Sequence, residues 1–156
     1  MKVHICAVGR ARTGPERTLT DDYLTRFTRT GRALSLGPAQ VIEVEDKKGG
    51  GMAGEAALLS RATPAGALIC VMDERGQTLS SLQFAAQLTL WRDQGHSDLA
   101  FVIGGADGLD PAFRETANAA LSFGAMVWPH MLVRAMLAEQ LYRAASILSN
   151  GPYHRA

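Results

Sequence analysis

No stretch of this 156-residue sequence approaches the roughly 20 consecutive apolar residues that cross a bilayer. The opening MKVHICAVGR has one lysine and then strand-like residues, without the charged and apolar regions of a secretion signal, so a cytoplasmic protein is expected. Cysteine is scarce. Cys6 and Cys70 both fall in apolar runs that read as buried strands, and they are expected to be small core hydrophobes rather than a disulfide or metal pair. No metal-ligand spacing links the four histidines, so no metal is expected, and His4 and His96 read as structural or solvent-facing. A net charge of +1 excludes a polycation that coats nucleic acid, although local basic loops can still recruit phosphates. The glycine turn GGADG is neither the dinucleotide fingerprint nor a phosphate loop, and no GK[ST] occurs, which argues against a dinucleotide- or nucleotide-binding enzyme. There is no internal repeat, low-complexity tract or second domain boundary, so residues 1–156 are expected to form one domain.

What the chain does contain is ordinary globular material, 47% hydrophobic and 20% charged. Short apolar runs near residues 3, 41, 68, 100 and 125 predict strands. Helical patterns lie between them: one from Thr20, one over about Ala53 to Arg61, and one capped by Ser80 and closed by Gly95. A fourth is expected from Pro111 to Leu121, and Asp46 to Gly51 reads as a flexible charged loop. Strands alternating with helices indicate βαβ units, hence an α/β fold on a parallel sheet.

Leu99 to His130 is the most informative stretch. The apolar strand Leu99–Ile103 runs into Gly104 and Gly105, then Asp110 and Pro111 signal a helix start. Paired glycines at the end of a strand let a ligand approach the backbone, in the place where α/β sheets bind ligands. They also suit a tight βα turn with no ligand. The later run Phe123-Gly124-Ala125-Met126-Val127-Trp128-Pro129 is strand-like and ends in proline, as an apolar pocket floor with free backbone groups would.

A final helix, Leu132 to Asn150, has one narrow polar stripe of Glu139, Arg143, Ser146 and Asn150. A helix apolar over most of its circumference must be covered on more than one side, so a second subunit is expected against it. Gly151 at C′ and Pro152 stop it. Beyond them Tyr153, His154 and Arg155 could fray, or could stack on, protonate and clamp a nucleotide.

Together VIGGADGL after a strand, SFGAMVWPHMLVRAMLAEQLYRAASI and the terminal NGPYHRA resemble the RlmH family of small SPOUT-class methyltransferases, which act on pseudouridine in large-subunit ribosomal RNA. The opening VGRARTGPERTLTDDYLTRF is similar too, so the likeness spans nearly the whole chain. The family's glycine turn more often carries Pro-Glu where Ala106-Asp107 stands here, and its pre-proline segment is richer in serine and leucine.

The resemblance implies a C-terminal trefoil knot, a homodimer, and S-adenosylmethionine held by Met72, Gly104, Gly105 and Phe123 through Pro129. It implies N3 of a pseudouridine in 23S ribosomal RNA as acceptor, with the tail, Tyr153, His154 and Arg155, reaching the partner's active site. A sulfonium donor needs only alignment with its acceptor and removal of a proton. By side-chain pKa His154 is best matched to take that proton. Arg155 or Arg134 could stabilise charge on the base or hold a phosphate. His130 positions RNA or is a buried structural histidine. The alternative to an enzyme is a non-catalytic ribosome-binding protein on the same scaffold.

Overall fold

Val3 through Val8 are all buried, which a strand achieves only when both faces of its sheet are covered. The computed structural model describes residues 1–155, and in it this segment is β1 (Lys2–Val8) of a five-stranded sheet. The others are β2 (Ala39–Val44), β3 (Leu68–Thr78), β4 (Asp98–Ile103) and β5 (Ala119–Ser122), in spatial order β2-β1-β4-β3-β5 with every pairing parallel. Helices α1 (Pro15–Gly31), α3 (Ser81–Asp93) and α5 (His130–Leu148) cover one face, packing Phe27, Leu88 and Leu141 on Ile5 and Phe101. Helices α2 (Gly51–Ala62) and α4 (Pro111–Glu115) cover the other, with Leu59 and Phe113 on Cys6, Val71 and Val102. Both cysteines are fully buried, and burial pushes the Cys70 thiol up to about 12, so each packs as a small hydrophobe.

Several boundaries differ from the sequence expectation, each for a local reason. Helix α1 begins at Pro15, whose fixed φ suits the first helical position, and Thr20 lies inside it with its hydroxyl donating to the Glu16 carbonyl at 2.7 Å. The Asp46–Gly51 loop is ordered by one carboxylate, since Asp46 accepts from the backbone N–H groups of Lys48 and Gly50. Helix α4 stops at Glu115 because Asn118 binds β3 twice. Its N–H donates to the Ile69 carbonyl at 2.9 Å and its side-chain oxygen accepts from the Ile69 N–H at 2.8 Å. That double bond starts β5 at Ala119, not near residue 125. The strand ends where the Ser122 hydroxyl engages the Gly124 N–H and carbonyl, both at 3.0 Å, leaving Phe123 to Pro129 as a loop.

The end of α5 also departs from expectation. Asn150, not Gly151, takes the left-handed φ of 55°, and Gly151 instead allows a close approach, since a Cβ there would lie 2.7 Å from the Ser146 hydroxyl. The apolar circumference of α5 is met by the sheet, α1 and α3 of the same chain, so that composition alone does not demand a second subunit. Ser146, expected on the polar stripe, is buried.

Strand β3 holds a feature the sequence did not announce. Leu121 of β5 pairs with both Met72 and Gln77, so residues 73–76 leave the ladder and return to the same partner. A Cβ on Gly76 would stand 2.6 Å from the Ala120 carbonyl carbon and 2.7 Å from the Leu121 backbone. Gly76→Ala is therefore expected to destabilise the fold by about 1–3 kcal/mol through overpacking, read as a lower melting temperature.

Candidate functional site

At the carboxyl end of the sheet the turn after β4 and the loop after β5 face each other across a cleft of about 420 Å³. This is within the roughly 300–1,000 Å³ range of small-molecule sites. Met72, Ile103, Leu121, Phe123 and Val133 give it apolar walls, and the backbone of Gly104 to Leu109 and of Ser122 to Gly124 borders them. Met72, Gly104, Gly105, Phe123, Gly124, Met126, Val127 and Trp128 all line it, whereas Ala125 and Pro129 belong to the same loop but do not. The loop is more rim than floor: Met126 is 74% and Val127 85% exposed, and Trp128 is more than one-third exposed.

The glycines divide by role. A Cβ on Gly104 would meet the Gly108 carbonyl carbon at 2.7 Å, so this glycine lets the turn close on itself. A Cβ on Gly105 would point at the Glu55 carboxylate, 3.1 Å away, and at Val8, not into the cleft. Gly108 and Gly124, with φ of 81° and 110°, have open space where a Cβ would lie. Gly104→Ala is thus expected to weaken small-molecule binding in the cleft about tenfold or more, and Gly105→Ala to leave it nearly unchanged because Glu55 can swing away, as calorimetry would show.

Asp73, Glu74, Arg75 and Arg114, which the sequence reading did not place in the site, also line this cleft. Asp73, its side chain nearly buried, accepts from the Arg75 N–H at 2.9 Å and from Arg114 Nη1 at 3.4 Å. The sequence signal was a carboxylate just past an apolar strand, the position of Asp73 itself. Glu55 stands behind the glycine turn. Burial first, then Asp107 and Asp46, push its carboxyl above the ordinary glutamate range, with His130 opposing.

His130 opens α5 half-buried at the edge of the cleft. Arg134, one turn on, is not available to RNA. It is 1% exposed, pairs through Nη1 with Glu43 at 2.7 Å and donates from Nη2 to the carbonyls of Val8 and Gly9 at 2.8 and 2.7 Å. It clamps α5 to the ends of β1 and β2. His4 is structural as well, held between Asp98 at 2.8 Å and Gln40 at 2.9 Å.

The tail neither frays nor enters its own chain's cleft. The Tyr153 ring lies 4.6 Å from that of Tyr142, and its hydroxyl donates to Glu139 at 2.9 Å with the Tyr23 oxygen 3.3 Å away. Burial first, then these bonds, raise the Tyr153 phenol. His154 places Nδ1 3.3 Å from Arg143 Nη1, and Arg155 is exposed. Beside this cluster an apolar groove of about 490 Å³ runs between α1, α3 and α5, with Leu19, Leu132, Met136 and Phe84 in its walls and Glu139 at its edge.

A family model described as a predicted SPOUT methyltransferase matches residues 1–154. The chain belongs to the SPOUT methyltransferase family. A protein of Dinoroseobacter shibae named ribosomal RNA large subunit methyltransferase H is 70% identical over 155 residues, 99% of each chain. Proteins of the same name from Ruegeria sp. and Paracoccus denitrificans are 68% and 63% identical over the same span. Among solved structures, a probable methyltransferase of Bordetella pertussis superposes with a TM-score of 0.54 at 15% identity, covering 92% of this chain and 96% of that one. A probable methylase family protein of Haemophilus influenzae gives 0.51 at 11% identity, covering 99% and 70%. At those identities the superpositions establish the fold alone. A SPOUT methyltransferase uses a methyl donor. Among the described residues no group of histidine, cysteine or carboxylates could hold a metal ion, and no helix is long and apolar enough to cross a membrane.

Proposed function

We propose that this protein transfers a methyl group from S-adenosylmethionine to N3 of a pseudouridine in 23S ribosomal RNA within the ribosome, acting in the cytoplasm as a homodimer of one-domain chains. The observation that carries this reading is the cleft between the two glycine-bearing turns, in a chain up to 70% identical to proteins named for large-subunit ribosomal RNA methylation. Its chemistry suits the cofactor: apolar walls for a flat base, turn backbone for polar edges, and open space at Gly108 and Gly124 that a side chain would fill. When bound there, S-adenosylmethionine supplies an electrophilic methyl group on a sulfonium.

The chain's own part is to align, exclude water and handle charge. Met72, Gly104, Gly105 and the Phe123–Pro129 loop hold the donor, and His130 stands at the mouth to meet RNA. Tyr153, His154 and Arg155 complete the site in catalytic roles, with Arg155 also on phosphate. None of the three lines the cleft of its own chain, while the cluster they join flanks an apolar groove. This supports a dimer in which the tail of one copy closes the cleft of the other. Membership of the SPOUT family supports a C-terminal segment threaded as a trefoil knot. Radiolabelled methyl transfer to ribosomes, mapped to one nucleotide, tests the proposal. Saturable cofactor binding without any methyl incorporation would reduce the protein to a ribosome-binding scaffold.

A further inference from the structure

Arginine has no acceptor, so Arg143 Nη1, 3.3 Å from His154 Nδ1, can only donate to it. The imidazole nitrogen that receives this bond must present its lone pair. In the neutral ring the proton then sits on Nε2.

The guanidinium has little freedom to do otherwise. Its Nε and Nη2 both donate to one oxygen of Glu139, at 3.0 and 2.6 Å. The other Glu139 oxygen accepts from Gln140 at 2.8 Å, and Gln140 in turn accepts from Ser81 of α3 at 2.8 Å. The Tyr153 ring stacks 4.8 Å from the guanidinium carbon, and the Tyr153 hydroxyl donates to the same Glu139 oxygen. From α1, Tyr23 completes the set, with Arg26 over its ring. Only Nη1 remains to meet the tail, and it meets His154.

We propose that Arg143, fixed by Glu139, is a positioning residue that keeps the His154 proton on Nε2, so that the ring offers the RNA base a donor and not a proton acceptor. This rests on the reading that the tail completes the methyl-transfer site. It reverses the role that side-chain pKa alone suggests for His154. In the reaction the N3–methyl bond forms as the sulfur–methyl bond breaks, the bonding pair returns to sulfur, and the N3 proton leaves to water. The departing proton leaves negative charge on the imide, shared with its two carbonyl oxygens. The Nε2–H of His154 is then the group that stabilises one of those oxygens, as oxyanion donors do.

Two measurements on the full-length protein test this. Long-range ¹⁵N correlation of the histidine rings at neutral pH is expected to show His154 with protonated Nε2 and bare Nδ1, relaxing to a tautomer mixture in Arg143→Met. A proton on Nδ1 in the wild type, or no change in Arg143→Met, overturns the proposal. In single-turnover methyl transfer, His154→Ala is expected to lose about 10²–10³-fold. His154→Gln, whose amide N–H falls near the Nε2 position but cannot take a proton, is expected to stay within about tenfold of wild type. A glutamine variant as slow as the alanine variant overturns the donor role while leaving the tail in the site. Wild-type turnover in a chain lacking the tail instead overturns the tail reading, and the donor role with it.

Discussion

Deleting the chain from Tyr153 onward is expected to abolish methyl transfer while leaving S-adenosylmethionine affinity nearly unchanged. The cleft that would hold the donor is built from β3, β4, β5 and the turns after them, none of which the tail touches within one chain. What the deletion removes is the His154 ring and the Arg155 charge, groups with the chemistry to meet an imide oxygen and a phosphate. It also removes the Tyr153 hydroxyl bond to Glu139 and the ring contact with Tyr142, so stability should fall by about 1–3 kcal/mol. Tyr153→Phe, which keeps the ring and loses the bond, should lower the melting temperature by less than the full deletion. Arg155→Ala should weaken RNA binding most at low salt, with the deficit narrowing as salt rises because one fewer counterion is released. A truncated protein that methylates at the wild-type rate would place the chemistry elsewhere, with His130 next to be tried.

The largest loss of stability is expected from Arg134→Ala. Its guanidinium is buried and donates to the part-exposed Glu43 and to two strand-end carbonyls, so removing it leaves those carbonyls without a partner at about 1–3 kcal/mol each. Urea unfolding would show it directly, and the freed end of β1 would loosen the cleft beside it. The same pair gives stability an acid limb. Burial works to raise the Glu43 carboxyl, but the Ala11 N–H and Arg134 outweigh it and hold the carboxyl below the ordinary glutamate range. A carboxyl lowered in the folded state binds fewer protons there than in the unfolded chain, so its contribution is complete above the unfolded value. It is lost as pH falls through the lowered value. Glu43→Gln should therefore flatten the acid limb, and a variant with an unchanged limb would show that other carboxylates dominate it.

The sheet was legible because its residues leave little choice. Ile5 to Val8 and Leu99 to Ile103 are apolar at consecutive positions, as a strand buried on both faces of a parallel sheet requires. The cleft was legible because glycine pairs after strands are local signals. What escaped were long-range decisions. Asn118 ends a helix by binding Ile69, and nothing near Asn118 in sequence announces that partner. Arg134 reads as a free cation on a helix until the carbonyls of Val8 and Gly9 arrive beside it. The neighbour of the His154 ring, Arg143 near the end of α5, is likewise unannounced beside the tail.

The strand order has a consequence for how the molecule comes to be made. β4 lies between β1 and β3, so Lys2 finds its partner at Asp98 and the middle of the sheet stays unzipped until the fourth strand emerges. Pairing across such spans is intrinsically slow, with folding in the range of about milliseconds to seconds. Val8 and Gly9, made well before Arg134, wait for it to cap their carbonyls. A nascent chain paused before Asp98 therefore carries β1 with an open edge, the form in which strands find the wrong partners.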